Sequence, residues 1–443
     1  MRVKTLAITF LFAFFCANSF AEEPSESSSS FRGRIYTDQY FPVYSSATYA
    51  SGILQSSISA WLDFQNKFSK NTSIQIVGEG DAFLRSLSDT TESSFSGKLR
   101  EGFFAYQNDS FELRVGQQII PWGKSDGVNP TDYFTAKDYT LLNPDDEVRR
   151  TGAPAAMLNF TPEKGTSPLN FIGVFQAVYP QTKLLIPDQA IPSGIQFQKY
   201  PMAPTPFQQD TIEFGGKLAY LKNDFDLSVS AFRGVNHFSQ YIYNIPTNQI
   251  TPINIQQTAV GGDASFTAGS SVFRIETAYI IPDNGKENTD LYGLVQPTHW
   301  DTSLGIEHTF FDDIHTQVQV LYRYHIAYLD PSLYNAFNPL LTQIQRSVAH
   351  ANGLLLNFQR QDNIGATFRI GYSNETSPWT ADLFLIGYFA QGQDYLLRPQ
   401  VSYKLVEGFK LLAGGEFYGG DESRPLGALK KNSSVFFEGK YVF

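Results

Sequence analysis

Six histidines are the residues of this chain best suited to proton or metal chemistry: His237, His299, His308, His315, His325 and His350. None stands in a signature that would put it to that use. His-Glu-x-x-His and His-x-x-Glu-His, which gather imidazoles and a carboxylate around zinc, are absent, and Glu307-His308 lacks a second histidine at helical spacing. On its predicted strand His308 reads as an interfacial ring on the outer face. The one cysteine, Cys16, lies near the amino terminus and leaves the rest of the chain without thiol chemistry. The pairs Gly261-Gly262, Gly414-Gly415 and Gly419-Gly420 fit neither a P-loop nor a dinucleotide fingerprint and read as bends or close strand approaches. A Ser–His pair assembled from distant segments stays open. The expectation is no catalytic residue, no metal and no cofactor.

The chemistry that the pattern does support is electrostatic. Charges of both signs recur at alternate positions: Glu79, Asp81 and Arg85; Glu112 and Arg114; Glu213 and Lys217; Arg274 and Glu276. Glu307, Arg323, His325, Arg369, Arg398, Lys404 and Glu416 continue the set. Alternation places such residues on one face of a strand. If that face encloses water, the charges either pair into braces of a wall or leave a basic ladder opposite acids as an electrostatic filter.

The elements that must carry these rows are long amphipathic strands. In the segment from Ile314, the residues Ile314, Thr316, Val318, Val320, Tyr322, Tyr324, Ile326 and Tyr328 form an apolar, aromatic row. His315, Gln317, Gln319, Arg323 and His325 form the opposite, wet one. Segments of about ten residues with this alternation, separated by turns, are the mark of a transmembrane β-barrel. The pattern predicts strands at 31–37, 53–68, 71–85, 96–108, 110–118, 153–162, 168–178, 211–222, 225–236, 256–268, 271–281 and 297–310. It predicts six more at 314–328, 363–373, 378–391, 395–405, 408–419 and 432–443. That makes about eighteen, the even number expected of a bacterial barrel. An apolar stretch at 347–360 would make a nineteenth, but it would put the 329–346 connection on the wrong side, so it is assigned to an outer or inward-folded loop. Tight turns such as Lys222-Asn223-Asp224, Asp312-Asp313 and Glu407-Gly408 are assigned to the periplasm and the long connections to the outside.

The two ends agree with that architecture. Arg2 and Lys4, an apolar stretch from Leu6 to Cys16 and the small-residue exit at Ala21 read as a secretory signal peptide over residues 1–21. Residues 22–30 are then a short periplasmic segment, with no separate plug domain, and residues 31–443 the barrel. No stretch is apolar over the ~20 residues of a spanning helix. Without Arg2 and Lys4, 31 basic residues face 43 acidic ones, a charge of about −12 that disfavours a nucleic-acid partner. Aromatic residues at 15% are high, while charged residues at 17% are low, as a lipid-facing surface requires. Val435, Phe437, Tyr441 and Phe443 alternate to the last residue. This resembles the terminal-aromatic signal of barrel insertion, and it implies Phe437, Tyr441 and Phe443 as that signal. The partners expected are the barrel-assembly machinery, outer-membrane lipid and lipopolysaccharide, and small solutes.

The 119–152 connection is unusual for its length and contents. It holds Trp122, Lys124, Asp126 and Asp132, then a second charged run of Asp145, Asp146, Arg149 and Arg150. Folded inward, these residues would form a constriction; folded outward, a solvated loop. The 179–210 connection is apolar, with Leu184, Leu185, Ile186, Ile191, Ile195, Phe197, Met202 and Phe207 among six prolines. It is expected to pack on neighbouring loops or to meet lipid, a partner or a hydrophobic solute.

Gly116-Gln117-Gln118, Pro121-Trp122-Gly123, Asn129-Pro130-Thr131-Asp132 and Tyr139-Thr140-Leu141-Leu142, with Leu397-Arg398-Pro399, Tyr403, Gly414-Gly415 and Phe443, carry a resemblance. The chain is similar to a widespread family of porin-like outer-membrane proteins of Gram-negative bacteria. The resemblance implies a monomer-sized barrel with a transport role and transfers no substrate or catalytic residue. The expected function is passive, substrate-selective diffusion of small solutes. A channel for hydrophobic compounds and a surface-binding adhesin or receptor are the alternatives.

Overall fold

Alternation of apolar and polar residues fixes which face of each strand can meet lipid, and a strand in lipid must have both edges paired. The computed structural model meets both demands. It describes residues 27–44, 55–87, 90–125, 127–140, 143, 145–162, 167–184, 195–198, 200–283, 294–333, 339–389 and 392–443, with the backbone alone at 86, 87 and 90–92. The proposed signal peptide, most of the 22–30 segment, Asp126, Leu141 and Leu142 lie outside the described residues.

The first strands are β1 (Ser28–Pro42), β2 (Gln55–Lys67), β3 (Thr72–Leu87), β4 (Thr90–Gln107) and β5 (Phe111–Gln118). The connection after β5 contains β6 (Ala136–Lys137), helix α1 (Asp146–Arg149) and β7 (Arg150–Thr151). Next come β8 (Ala153–Phe160), β9 (Leu169–Gln176), β10 (Gln196–Phe197), β11 (Glu213–Lys222) and β12 (Phe225–Val235). They are followed by β13 (Gln240–Asn244), β14 (Gln249–Ile253), β15 (Gln256–Ala268), β16 (Ser271–Pro282), β17 (His299–Phe310) and β18 (Ile314–His325). Helix α2 (Pro339–Leu356) precedes β19 (Asp362–Ser373), β20 (Trp379–Tyr388), β21 (Asp394–Val406), β22 (Phe409–Gly420) and β23 (Ser434–Val442).

Eighteen of these strands make one antiparallel sheet, and β1 pairs with both β2 and β23, which closes it. The five short strands lie in loops: β10, β14 and β13 form a small sheet and β6 pairs with β7. The count of eighteen expected from alternation is therefore the observed one. The outer wall exposes Leu304, Ile306, Val318, Val320, Tyr322 and many like them, a surface suited to hydrocarbon rather than water. Aromatic pairs mark its two margins, Tyr279–Trp300 at the end assigned to the outside and Trp379–Tyr403 at the end assigned to the periplasm, with ring centroids 5.7 and 4.6 Å apart.

Several expectations need correction. The 347–360 stretch is largely helix: α2 begins on a proline, which suits the first helical position, and buries Ile344, Val348, Asn352 and Leu356 at intervals of four. A search for alternation cannot see that period. The β3–β4 connection, expected over 86–95, is largely strand, and β18 ends at His325, so Tyr328 is not on its lipid row. The first strand starts at Ser28 and runs to Pro42, longer than 31–37 at both ends.

Closure is clipped by the last residue. The Gly33 and Phe443 backbones exchange N–H···O bonds of 2.8 and 2.9 Å, and the Phe443 ring occupies the space a Cβ at Gly33 would need. Gly33→Leu should therefore displace the ring and weaken the seam by roughly 1–3 kcal/mol, the scale of overpacking. The loss would be seen as a lower yield of folded, heat-modifiable barrel in detergent. An unchanged yield would show that the seam does not depend on this contact.

Candidate channel and its inward loop

The 119–152 connection folds into the barrel. Its first half is closed by the motif residues themselves. The Trp122 N–H donates to Asp132 Oδ1 at 3.1 Å, Asn129 Nδ2 to the Trp122 carbonyl at 2.8 Å, and the Thr131 N–H to Asn129 Oδ1 at 3.0 Å. Gly123 takes φ +88°, with the Asn129 amide where a Cβ would sit, so glycine is needed there. Thus Pro121-Trp122-Gly123 and Asn129-Pro130-Thr131-Asp132 together form one loop clasp.

Beyond the clasp the loop crosses toward β16–β18. The N–H groups of Lys124 and Ser125 donate to Glu276, and Thr131 Oγ1 adds a third bond at 3.1 Å. Ser125 meets Ser303 at 2.8 Å, and Gln319 Nε2 donates to the Val128 carbonyl at 3.0 Å. Lys124 Nζ lies 3.0 Å from Asp226 and 3.1 Å from Asp263, which also takes Lys217 at 2.8 Å. Behind the clasp, Trp122, Tyr133 and Phe134 bury against Phe232, Ala155, Val174, Ala259 and Ala278. Phe134 lies 4.8 Å from Trp122 and 5.0 Å from Phe232, both edge-on. Gly215 and Gly261 leave room for these rings, since a Cβ there would strike Phe134 and Tyr133. One side of the lumen therefore holds a hydrophobic core, worth about 1.5–3 kcal/mol per large side chain buried.

The second half turns to the opposite wall. Asn143 donates to Asp38 at 3.3 Å and to Glu438 at 3.1 Å, Asp145 meets Lys440 at 3.5 Å, and Glu147 meets Arg34 at 3.3 Å. Arg149 and Arg398 share Glu416 at 3.5 and 2.7 Å. Arg100 donates to the carbonyls of Glu147 and Arg150 and lies 3.4 Å from Glu79. The Trp61 ring has the Arg34 guanidinium 3.2 Å from its centroid and that of Arg100 at 3.9 Å, close cation–π contacts. Within the loop, Asp146 accepts from Lys137 and Arg150, and Arg150 also faces Asp132. These cations hold the Asp146 carboxyl below the ordinary range against the opposing effect of burial.

Most of the predicted wall charges are paired. Glu79 and Asp81 meet Lys98, Glu112 meets Arg114, Arg274 meets Glu307, Arg323 meets Asp301 and Arg369 meets Asp382. Arg85 donates to Gln55 and to the Thr140 carbonyl of the loop. Glu213 holds His237 at 3.0 Å. Burial works against protonated His237, but the Glu213 carboxylate outweighs it and raises the imidazole above its ordinary value. Lys404, Lys410 and Lys440 stand directly opposite one another on β21, β22 and β23. His325, expected in the wet row, is instead fully buried, because the segment after α2 covers it. His308 faces outward, 2.7 Å from Ser271 and edge-on to Phe310.

Arg34, Lys98, Arg100, Asp263, Asp301 and Asp382 belong to the site but escaped the sequence reading. For Asp301 a signal existed, since it is the direct cross-strand partner of Arg323. For Arg100 none did: the register shifts between Val77 and Gly78, leaving Arg100 as the bulged residue of β4. The apolar 179–210 connection does pack in part, with Phe197 stacked 5.4 Å from Tyr241, while Met202 and Phe207 are exposed. Leu185, Ile186 and Ile191 lie outside the described residues.

Arg369 tests whether the wall meets the conducting water. Its guanidinium is 2.7 Å from Asp382 and its side chain 43% exposed. Arg369→Glu should shift the reversal potential in a salt gradient toward cations. No shift would place it off the path.

No protein-family profile matches the sequence, and none of the curated proteins matches it. Solved structures do. The chain is similar to Pseudomonas aeruginosa OccK5 (OpdH), at 12% identity over 94% of this chain and 98% of that one, with a TM-score of 0.51. It is similar to P. aeruginosa OccK7 (OpdD), at 9% identity over 95% and 99%, TM-score 0.52. Acinetobacter baumannii OccAB2 gives 9% identity over 94% and 98%, TM-score 0.53. At these identities what is shared is the fold, a closed barrel of eighteen antiparallel strands spanning its length.

Proposed function

We propose that the protein is a passive, substrate-selective channel for small solutes in the outer membrane of a Gram-negative bacterium. The observation that carries this reading is the loop 119–152, which crosses a charged lumen and is tied to both walls, narrowing an interior that eighteen strands would otherwise leave as a wide aqueous channel. Paired charges brace the wall, while Asp146 and Glu147, with side chains 50% and 63% exposed, stand where solutes pass. Selectivity then comes from the shape of the aperture and the charges on the loop. The similarity in fold to OccK5 and OccAB2 supports a porin-like architecture. Insertion uses the strand ending in Phe437, Tyr441 and Phe443, delivered to the barrel-assembly machinery. Single-channel conductance and reversal potential of the purified barrel test the reading. Absence of any open state in correctly folded protein would sink it.

A second reading, contact of the outer loops with lipopolysaccharide or another surface partner, is favoured by Met202 and Phe207, which are 80% and 76% exposed. Trimming that loop should abolish such binding and leave conductance unchanged.

A further inference from the structure

We propose that the outer mouth carries an acid-opened lid whose trigger is the buried imidazole pair His299 and His325. The inference rests on the channel reading above.

The lid is a set of loop elements held to one another. Asn352 of α2 accepts the Tyr241 N–H at 2.7 Å and donates to the carbonyls of Tyr241 and Leu294, each at 2.8 Å. This one amide joins α2, the β13–β14 hairpin and the segment before β17. The Gln296 N–H donates to Gln240 Oε1 at 2.7 Å, and Gln359 Nε2 reaches the Ser423 carbonyl at 2.6 Å, extending the cover to the β22–β23 connection. Gln240, Val295 and Asn352 are wholly buried and Phe358 nearly so.

Beneath the lid, His299 opens β17 and His325 closes β18, directly opposite each other in register. Their ring centroids are 5.7 Å apart and both side chains are buried. Each Nδ1 faces a carbonyl of a lid segment, Pro297 at 2.9 Å and Arg360 at 2.7 Å. A carbonyl only accepts, so each Nδ1 carries the hydrogen and each neutral ring keeps its lone pair on Nε2. His325 Nε2 is buried without a hydrogen-bond partner. The wall is thus fastened to the lid through two neutral rings.

The charges facing the pair are already spent on each other. Asp301 of β17 is held by Arg323 of β18 through two bonds of 2.6 and 2.5 Å, and Arg323 also donates to the Leu356 carbonyl at the end of α2. Tyr328 and Phe358 cover the His325 ring at 6.4 and 6.2 Å, and Tyr388 of β20 stands on the Arg323 side. A proton on either ring adds a cation beside Arg323. Protons on both place two cations within one ring spacing, with one carboxylate, itself paired, to answer them. Freed from the lid, the same rings are hydrated and take protons at the ordinary imidazole value, about 6.5. The closed state is therefore fully favoured above that pH and loses ground as pH falls through it, by up to about tenfold per ring for each unit. His237 works in the opposite sense. Protonated, it is held harder by Glu213 at the root of the β13–β14 hairpin, so that end remains a hinge while the α2 end swings.

The test is planar-bilayer recording of the full barrel at pH 7.5 and 5.0, with heat-modifiability checked for each variant. The native protein should open several-fold more often at pH 5.0. His299→Gln with His325→Gln should remove that response, His237→Gln should keep it, and Asn352→Ala should give the acid level of opening already at pH 7.5. As a measurement needing no variant, amide exchange at 294–298, corrected for intrinsic rate, should rise in acid. Conduction that ignores pH, or a response surviving in the double histidine variant, overturns the lid and leaves the channel standing. No open state in any variant at either pH overturns the channel, and the lid with it.

Discussion

Replacing residues 124–149 by a short Gly-Ser linker should raise single-channel conductance several-fold and flatten solute discrimination. The excised stretch supplies the contacts to Glu276 on β16, Gln319 on β18, Glu416 on β22, Glu438 on β23 and Asp38 on β1, which together span half of the circumference. The strands themselves keep every one of their pairings, so the barrel should still fold. An eighteen-strand interior without this loop is wide enough for an open aqueous channel. Conductance unchanged by the excision would mean that the narrowest point lies elsewhere. A point change at the same contact set should act in the same direction: Glu276→Ala strands two N–H groups and the Thr131 hydroxyl, at roughly 1–3 kcal/mol each.

Glu416→Gln should produce the second large effect, a shift of reversal potential toward anions together with a looser loop. Glu416 answers both Arg149 of the loop and Arg398 of the wall, and all three side chains are largely buried, at 9, 12 and 17% exposed. Removing one partner from such a group costs about 3–5 kcal/mol because the remaining charge is left uncompensated. Here two guanidinium groups, those of Arg149 and Arg398, lose the carboxylate they share. Faster proteolysis near Arg149 would report the loosening. An unaltered ion preference with normal protease resistance would show that the triad neither faces the solute path nor holds the loop.

How far the sequence could be read depended on period. Strand positions followed from alternation because lipid on one side and water on the other impose it on every residue, as Val318, Gln319 and Val320 show. The same alternation gave the expected inward set, including Glu79, Lys217, Arg274 and Glu416, and the structure gives each of these an ion pair. Alternation fails where the period changes. It could not place Arg100, turned inward by a bulge, nor α2, whose buried residues recur every four. It also assigned His325 to water, since the strand pattern carries no information about a helix-bearing connection returning over the strand end. The inward course of the 119–152 loop was one of two expectations for its charges. What decides it is the row of small inward residues, Ala155, Gly215, Ala259, Gly261 and Ala278, that leave space for Trp122, Tyr133 and Phe134. Such a row is legible only once the strands are placed side by side.

The attachment of Asn143 to both Asp38 and Glu438 also sets an order of events. Asp38 lies on the first strand of the sheet and Glu438 on its last, and the two are direct partners across the closing seam. Asn143, 105 residues after Asp38 and 295 before Glu438, waits for both. The wall and the passage through it are thus completed at the same moment, so a chain stalled before its final strand should be neither a sealed cylinder nor a working conduit.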